Sequence, residues 1–517
     1  MLYKIYNVIF FAILGLILIH GIYYHFYLYV FNAQNSFVID ECCLVINALL
    51  PWQDLFIKLP HCQCTPPVFS IITKLLLNSM PEINESVFRF FLLFVTILSM
   101  LSFTFLETKI IKNKFAILAG IILFIINRNI NEFSCFYKHY CFDILMSIII
   151  FTYAIYIKDK KFSSKELFIL GVISCICTLF SYTSAIVIAG IFIAKILYEI
   201  SQNNKINIKG CLIYLSPIFV YTILFIIFVL IPLKQDGFMD YFWFSKEFDH
   251  IILSTEYYDV KIWGDTINFI MSGFFGLKYN LYIFFLLILI SLLIFYKQNK
   301  FLFYFYMAEF PIMLVLSLLK IYPFGPSRVI LYAIPLFYIL ILKAFDIVDI
   351  NKSKIKKFIL LLIVFVLFSL LNNYKDLYSS FQGYINQPRY DEGSASKYYY
   401  ELLKHSDVKS NDYVYWCMPP EIKLYNKENL LKLHNPEKQI IGHKYILEDE
   451  NDVIDIPKNN NIFIYLSNEY YFDYKEEYDF MQNFIKNDCK VQYSILDNIG
   501  TYTGYFIKCT KTTDAKI

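Results

Sequence analysis

Long runs of uncharged, apolar residues constrain this chain more than any other feature. Residues 117–126, 144–157 and 358–371 are examples, and comparable runs recur from the N-terminus to residue 372. In hydrocarbon every backbone amide must find its partner within its own segment, so such runs are read as helices entering a bilayer. The composition agrees. The 517 residues are 58% hydrophobic and only 17% charged, whereas ordinary globular chains carry about 25% charge. A water-soluble enzyme and a nucleic-acid-binding protein are both excluded at this point. Hydropathy places eleven spans, at 5–31, 86–105, 115–126, 140–157, 166–181, 183–199, 210–233, 281–296, 301–319, 329–342 and 358–372. The first is too long for a cleaved leader and lacks a small-residue cleavage site, so it is expected to be retained. Many of the 44 tyrosines and 52 phenylalanines fall near expected helix ends, where amphipathic rings favour the interface.

Orientation follows from the cations. With the N-terminus in the cytoplasm, the inner segments hold 17 Lys/Arg in 50 residues and the outer ones 10 in 122. Positive residues concentrate on the cytoplasmic side, and the bias is about fourfold in favour of this arrangement. An odd number of spans then leaves the C-terminal part outside. From residue 373 onward there are 22 acidic and 17 basic residues in a chain of net charge +3. The tail is therefore a different kind of object, long enough to bury its own core. Residues 1–372 are expected to form a transmembrane domain and 373–517 a small soluble α/β domain. In the tail 413–417, 462–467, 490–496 and 503–509 read as strands, and 398–403 and 475–485 as helices. The first outer loop, 32–85, is expected to carry interfacial helices over 42–50 and 66–77, punctuated by Pro51, Pro60, Pro66 and Pro67.

With the cytoplasmic lysines explained by topology, the few charges left outside stand out. They are Asp40, Glu41 and His61 in the first loop, and Lys138, Tyr140 and Asp143 at the mouth of the fourth span. Trp243 lies in a later loop, and Tyr322 and Arg328 sit beside the tenth span. Carboxylates, cations and aromatics at one interface suit a reaction between a lipid-linked phosphate and a polar acceptor. Cations hold the phosphate, with Arg gripping two oxygens, and a carboxylate takes the proton of the attacking hydroxyl. Each has a simpler alternative: Asp40-Glu41 as a helix cap, Asp143 as a structural partner of Lys138, Arg328 and Trp243 as interface anchors. The Ser181-Tyr182 break is expected to be a kinked turn without chemistry. His61 with Cys62 and Cys64 lacks a second ligand pair, so no structural metal is expected. The twelve cysteines read as small buried hydrophobes, with oxidation as the alternative for Cys42, Cys43, Cys62 and Cys64, which share the first outer loop.

The ordered motifs resemble GT-C glycosyltransferases, specifically the bacterial relatives of protein O-mannosyltransferases and lipid A aminoarabinose transferases. The resemblance rests on Ile39-Asp40-Glu41 followed by Asn47-Ala48-Leu49-Leu50, and on Thr65-Pro66-Pro67-Val68-Phe69. It continues in Lys138-His139-Tyr140-Cys141-Phe142-Asp143, in Phe180-Ser181-Tyr182, and in Tyr322-Pro323-Phe324-Gly325 with Arg328 and Pro335. Asp412-Tyr413-Val414-Tyr415 with Tyr425 resembles the start of the family's tail domain. The resemblance implies a single-sugar transferase in the bacterial inner membrane. It implies a polyprenyl-phosphate sugar donor, a lipid, glycan or protein acceptor, and an extracytoplasmic site. Asp40 is then the general base, Glu41 its support, and Asp143 an orienting acid. Lys138 and Arg328 contact the phosphate, while Tyr140, Tyr322, His61 and Trp243 line the substrate. Thr65 stands where some relatives carry Lys before the Pro-Pro pair. No cofactor is implied, although Asp40, Glu41 and Asp143 are a set able to hold a divalent cation. The competing reading is a transporter, or a flippase or polymerase of lipid-linked glycans. Against a transporter, the span midplanes read as apolar and the charges gather at one face.

Overall fold

The computed structural model describes residues 2–33, 65–80, 84–157, 164–202, 208–227, 281–324, 327–349, 413–416, 439–441, 461–467, 475–499 and 502–512, with isolated positions at 37, 41, 44–45, 47–53, 55 and 231. The chain divides into two compact units. The first holds 1–33, 51–72 and 86–383, and the second holds 34–50, 73–85 and 384–517.

Helices occupy ten of the eleven segments read as spans; the eleventh, 358–372, lies outside the described residues. In chain order they are α1 (Leu2–Asn32), α2 (Pro67–Ser79, in the first loop), α3 (Glu85–Ile110), α4 (Lys114–Ile126), α5 (Arg128–Cys135), α6 (Tyr140–Ile157), α7 (Ser164–Phe180), α8 (Ser184–Ser201), α9 (Ile208–Phe225), α10 (Leu281–Gln298), α11 (Lys300–Leu318) and α12 (Ile334–Leu342). Among the described residues six helical segments are long and apolar enough to cross a membrane, or seven if the bent pair α4–α5 is one span. The protein is thus an integral membrane protein. Helix α5 falls in a segment read as loop. Its N-terminus is built by Asn127, whose side-chain oxygen accepts the Ile130 N–H. The Asn127 amide also donates to the Tyr338 hydroxyl at 2.7 Å. One buried Asn therefore ends α4, caps α5 and ties the 44° bend to the core.

The centre of the first unit is the segment Arg328–Asp346, in which residues 329–346 are all buried and Arg328 is half-buried, whereas only 17% of the corresponding window in α1 is buried. Its middle is α12, flanked by 3-10 turns Ser327–Ala333 and Lys343–Asp349. A helix apolar on every side must have protein on every side. Ser147 on α6 donates to the Tyr332 carbonyl at 2.8 Å, and Tyr306 on α11 donates to the Leu336 carbonyl at 2.9 Å. At its far end Lys343 pairs with Asp346 at 2.6 Å and donates to the Ile110 carbonyl. The other Asp346 oxygen accepts the N–H groups of Lys112 and Asn113 at 2.9 and 2.8 Å. This buried pair is thus fully partnered, the condition under which buried charges are tolerated.

Helix α11 ends in a Schellman turn. The Ile321 N–H returns to the Leu316 carbonyl and the Lys320 N–H to Ser317. Lys320 takes the left-handed φ of 55° that usually falls to glycine. The turn sends the chain through Tyr322 and Phe324 toward the central segment, with the Phe324 N–H held by the Ser317 hydroxyl at 3.0 Å.

In the second unit five strands form one mixed sheet in the order β2-β1-β3-β5-β4. They are β1 (Tyr413–Trp416), β2 (Gln439–Ile441), β3 (Asn461–Ser467), β4 (Cys489–Ile499) and β5 (Tyr502–Lys511), with α13 (Lys475–Asp488) leading into β4. β1 runs parallel to β2 and β3, and β3–β5–β4 are antiparallel. Four strands and α13 match the expected positions; β2 is additional. The expected helix at 398–403 lies outside the described residues.

Candidate active site at the mouth of the helix bundle

Four chain segments of the first unit meet at one end of its helices. The first is the start of α2. Pro67 opens this helix, where its missing N–H costs nothing. Phe69 there packs its ring against Tyr137, His139 and Phe142, with centroids 5.1, 6.2 and 6.1 Å away. The second is the turn 136–139 with the first turn of α6. The His139 carbonyl accepts the N–H groups of Phe142 and Asp143, so the chain enters α6 with Asp143 in its first turn. A carboxylate is favoured there by the helix dipole. The third is the break between α7 and α8. The Ser181 hydroxyl donates to Asp143 Oδ1 at 2.5 Å, and Ser181 and Thr183 hydroxyls lie 2.9 Å apart. Tyr182 donates to the Thr65 carbonyl at 2.9 Å, tying the break to the stretch before α2. The fourth is the chain from the end of α11 to the central segment. Tyr322 donates to the Val329 carbonyl at 3.1 Å.

The site is partly shielded, with His139, Tyr140, Tyr322 and Arg328 half-buried. Asp143 and Lys138 are 2% and 3% exposed. His139 Nε2 lies 3.9 Å from Asp143 Oδ2, and His139 Nδ1 is buried without a partner among the described residues. Burial lowers the His139 pKa to about 3, with the charges of Lys138 and Arg328 acting in the same direction, so the imidazole is neutral at ordinary pH. Burial also pushes the Tyr322 hydroxyl well above its usual value; Asp143 and Tyr140 add to this and Arg328 opposes it. These mutual effects place Lys138, His139, Tyr140, Asp143, Tyr322 and Arg328 within electrostatic reach of one another. Two cations, a carboxylate and a neutral imidazole so placed can hold an anion and orient a hydroxyl.

Of the residues singled out from the sequence, Lys138, Tyr140, Asp143, Tyr322 and Arg328 come together here. Glu41 is buried, 1% exposed, in the second unit. Asp40, His61 and Trp243 lie outside the described residues. The Ser181-Tyr182 break is more than a kinked turn, because Ser181 holds Asp143. His139 is a site residue that the sequence reading did not single out; its place beside Lys138 and one turn before Asp143 is the available signal. One span is less apolar at its middle than hydropathy suggested. Glu309 at the middle of α11 is buried, as is Glu107 in the last turn of α3, both with unpartnered carboxylate oxygens among the described residues. No group of three His, Cys, Asp or Glu able to hold a metal ion occurs among the described residues.

No protein-family model matches the chain, and no curated protein matches it at a significant level. Among solved structures, ArnT from Cupriavidus metallidurans bound to undecaprenyl phosphate is 9% identical, covering 97% of this chain and 98% of that one, with a TM-score of 0.47. The apo state of the same ArnT is also 9% identical, covering 98% of each chain with a TM-score of 0.50. The chain therefore has, along almost its whole length, the fold of apo ArnT.

Proposed function

We propose that this protein is an inverting membrane glycosyltransferase that moves one sugar from a polyprenyl-phosphate donor to a lipid, glycan or protein acceptor. The observation that carries this reading is the meeting of Lys138 and Arg328 with Asp143 and Tyr322 at one end of the bundle, in a chain with the fold of apo ArnT. Lys138 and Arg328 hold the donor phosphate, Arg328 with its planar fork. Asp143, fixed by Ser181, orients the substrate. Asp40, supported by Glu41, takes the proton. Tyr140 and Tyr322 line the recess, and His61 and Trp243 complete it from the loops.

The acceptor oxygen attacks the anomeric carbon from the face opposite the phosphate. The bond from that carbon to the phosphate oxygen breaks, and the electron pair leaves on the polyprenyl phosphate, whose added charge the two cations neutralise. The acceptor proton passes to Asp40. No acid is needed for a leaving group already stabilised as an anion, so the two-carboxylate logic of glycoside hydrolysis does not apply. In this reading the site faces the outside of the bacterial inner membrane, eleven spans anchor it, the N-terminus is cytoplasmic, and 373–517 is a soluble outer domain.

The test uses the full-length protein in bilayer nanodiscs. It is given undecaprenyl phosphate carrying labelled mannose, glucose, galactose or 4-amino-arabinose, and envelope extract from a strain lacking the protein. One labelled species gaining a single sugar is the expected product, with transfer lost in Asp40→Asn at unchanged protein yield. Transfer at the parent rate by Asp40→Asn removes the assigned base. A second reading, a transporter or flippase of lipid-linked glycans, draws on the buried Glu309 and Glu107, since intramembrane acids commonly mark transport paths. Substrate flux into proteoliposomes with no acceptor present would favour it.

A further inference from the structure

The imidazole of His139 has a role that phosphate binding and proton removal leave unassigned. Asp143 Oδ2 lies 3.9 Å from Nε2, too far for a hydrogen bond, but its charge favours the tautomer carrying the hydrogen on that side of the ring. Nδ1 is then a lone-pair acceptor. It is shielded from solvent and has no partner among the described residues. A buried acceptor left unmet costs free energy, so such an atom points to a ligand that supplies the missing hydrogen. The ring is held on two sides, by Tyr140 with centroids 4.9 Å apart and by Phe69 at 6.2 Å. Burial keeps the ring neutral, and its charged neighbours Lys138 and Arg328 act in the same direction by disfavouring a third positive charge. Those same cations grip the donor phosphate in the function proposed above, and this inference rests on that reading. An acceptor atom beside the phosphate grip faces the part of the donor joined to the phosphate, namely the anomeric carbon and its neighbour.

We infer that His139 reads the donor sugar, its Nδ1 accepting a hydrogen bond from the hydroxyl or amide N–H on the carbon next to the anomeric centre. The donor class is thereby narrowed to sugars that keep a hydrogen-bond donor at that carbon; 2-deoxy sugars are excluded. Asp143 acts through His139, setting its tautomer, and is in this respect a positioning residue. The contact sits where charge develops as the phosphate leaves, so it strengthens toward the transition state and is read mainly in kcat.

The experiment crosses the donor with the enzyme. Full-length parent, His139→Ala and His139→Asn are compared on the donor that supports transfer and on its 2-deoxy counterpart. Asn is chosen because its side-chain oxygen reaches near the place of Nδ1. The parent is expected to favour the hydroxylated donor by about tenfold or more in kcat/KM, the effect of one buried hydrogen bond left unpaired. His139→Ala is expected to use both donors equally, and His139→Asn to recover part of the preference. Binding of sugar-free undecaprenyl phosphate is expected to stay within about twofold in all three, which separates sugar reading from a loss of fold. Equal use of both donors by the parent, or an undiminished preference in His139→Ala, overturns the inference while leaving the proposed function standing. If the parent transfers none of the sugars in the panel, the proposed function fails, and the inference with it.

Discussion

Ser181→Ala removes the short hydrogen bond from Ser181 to the carboxylate of Asp143, which the Thr183 hydroxyl also contacts. At 2.5 Å the contact is at the short end for a hydroxyl donating to a carboxylate. Ser181 is fully buried and Asp143 is 2% exposed, so water neither weakens the bond nor replaces it. A hydrogen bond to a charged group contributes about 1.5–3 kcal/mol, and these conditions put this one in the upper half of the range. Thr183 stands 2.9 Å from the Ser181 hydroxyl and takes up part of the loss. The expected net cost is about 2 kcal/mol, or roughly thirtyfold in rate if the bond is needed in the transition state. The assay is single-turnover transfer by parent, Ser181→Ala, Asp143→Asn and the double variant, with a thermal midpoint for each. If Ser181 works through Asp143, the double variant is about as slow as Asp143→Asn alone. Transfer by Ser181→Ala within twofold of the parent, or losses that simply multiply in the double variant, would refute the assignment. A lowered midpoint with unchanged transfer would show that the bond only holds the break between α7 and α8.

Three further outcomes follow from particular contacts. A Cβ at Gly120 would sit 1.9 Å from Glu107 Oε1 and 2.7 Å from Leu342 Cδ1, whereas one at Gly15 meets nothing within 4 Å. Gly120→Ala is therefore expected to destabilise by about 1–3 kcal/mol and Gly15→Ala to stabilise by up to about 1 kcal/mol, both read as midpoint shifts in one detergent. Lys320→Gly removes a side chain from a φ of 55°, and a gain of about 1 kcal/mol is expected; a lower midpoint would mean that the lysine's own contacts outweigh the strain. The folded His139 has its pKa at about 3 and the unfolded one near 6.5. Between those values the unfolded chain takes up a proton that the folded one refuses, so stability falls on acidification. On going from pH 7.5 to 5 the parent should lose about 2 kcal/mol more than His139→Gln, and equal losses would contradict a neutral buried ring.

The membrane helices were legible because a bilayer imposes a one-dimensional rule: a segment that satisfies its own amides must be apolar over its length. The strands of the tail were legible for a related reason, since a short β-branched and aromatic run such as Ile462-Phe463-Ile464, all buried in β3, is a local signal. What escaped was set by contacts distant in sequence. Ser181 is an unremarkable serine until the break between α7 and α8 brings it against Asp143, 38 residues earlier. Helix α5 looked like loop because it is short and polar, and its start depends on Asn127, a residue that also reads as a simple helix stop. The 3-10 turns on either side of α12 leave no period that hydropathy detects. Glu309 was hidden by the apolar residues around it, because averaging along a span dilutes a single acid. The ends of α6 and α11 bring Tyr140, Asp143 and Tyr322 to the same end of the bundle, which the alternation of span directions had already implied.

The burial of residues 329–346 has a consequence for how the protein senses its lipid environment. A helix exposed to acyl chains, such as α1, must tilt or bend when the bilayer thins or thickens. The central segment is covered by protein, and it is anchored to other helices, through Ser147 at one end and through Lys343 and Asp346 at the other. Changes in acyl length should therefore act on the outer helices more than on the segment that leads out of Arg328.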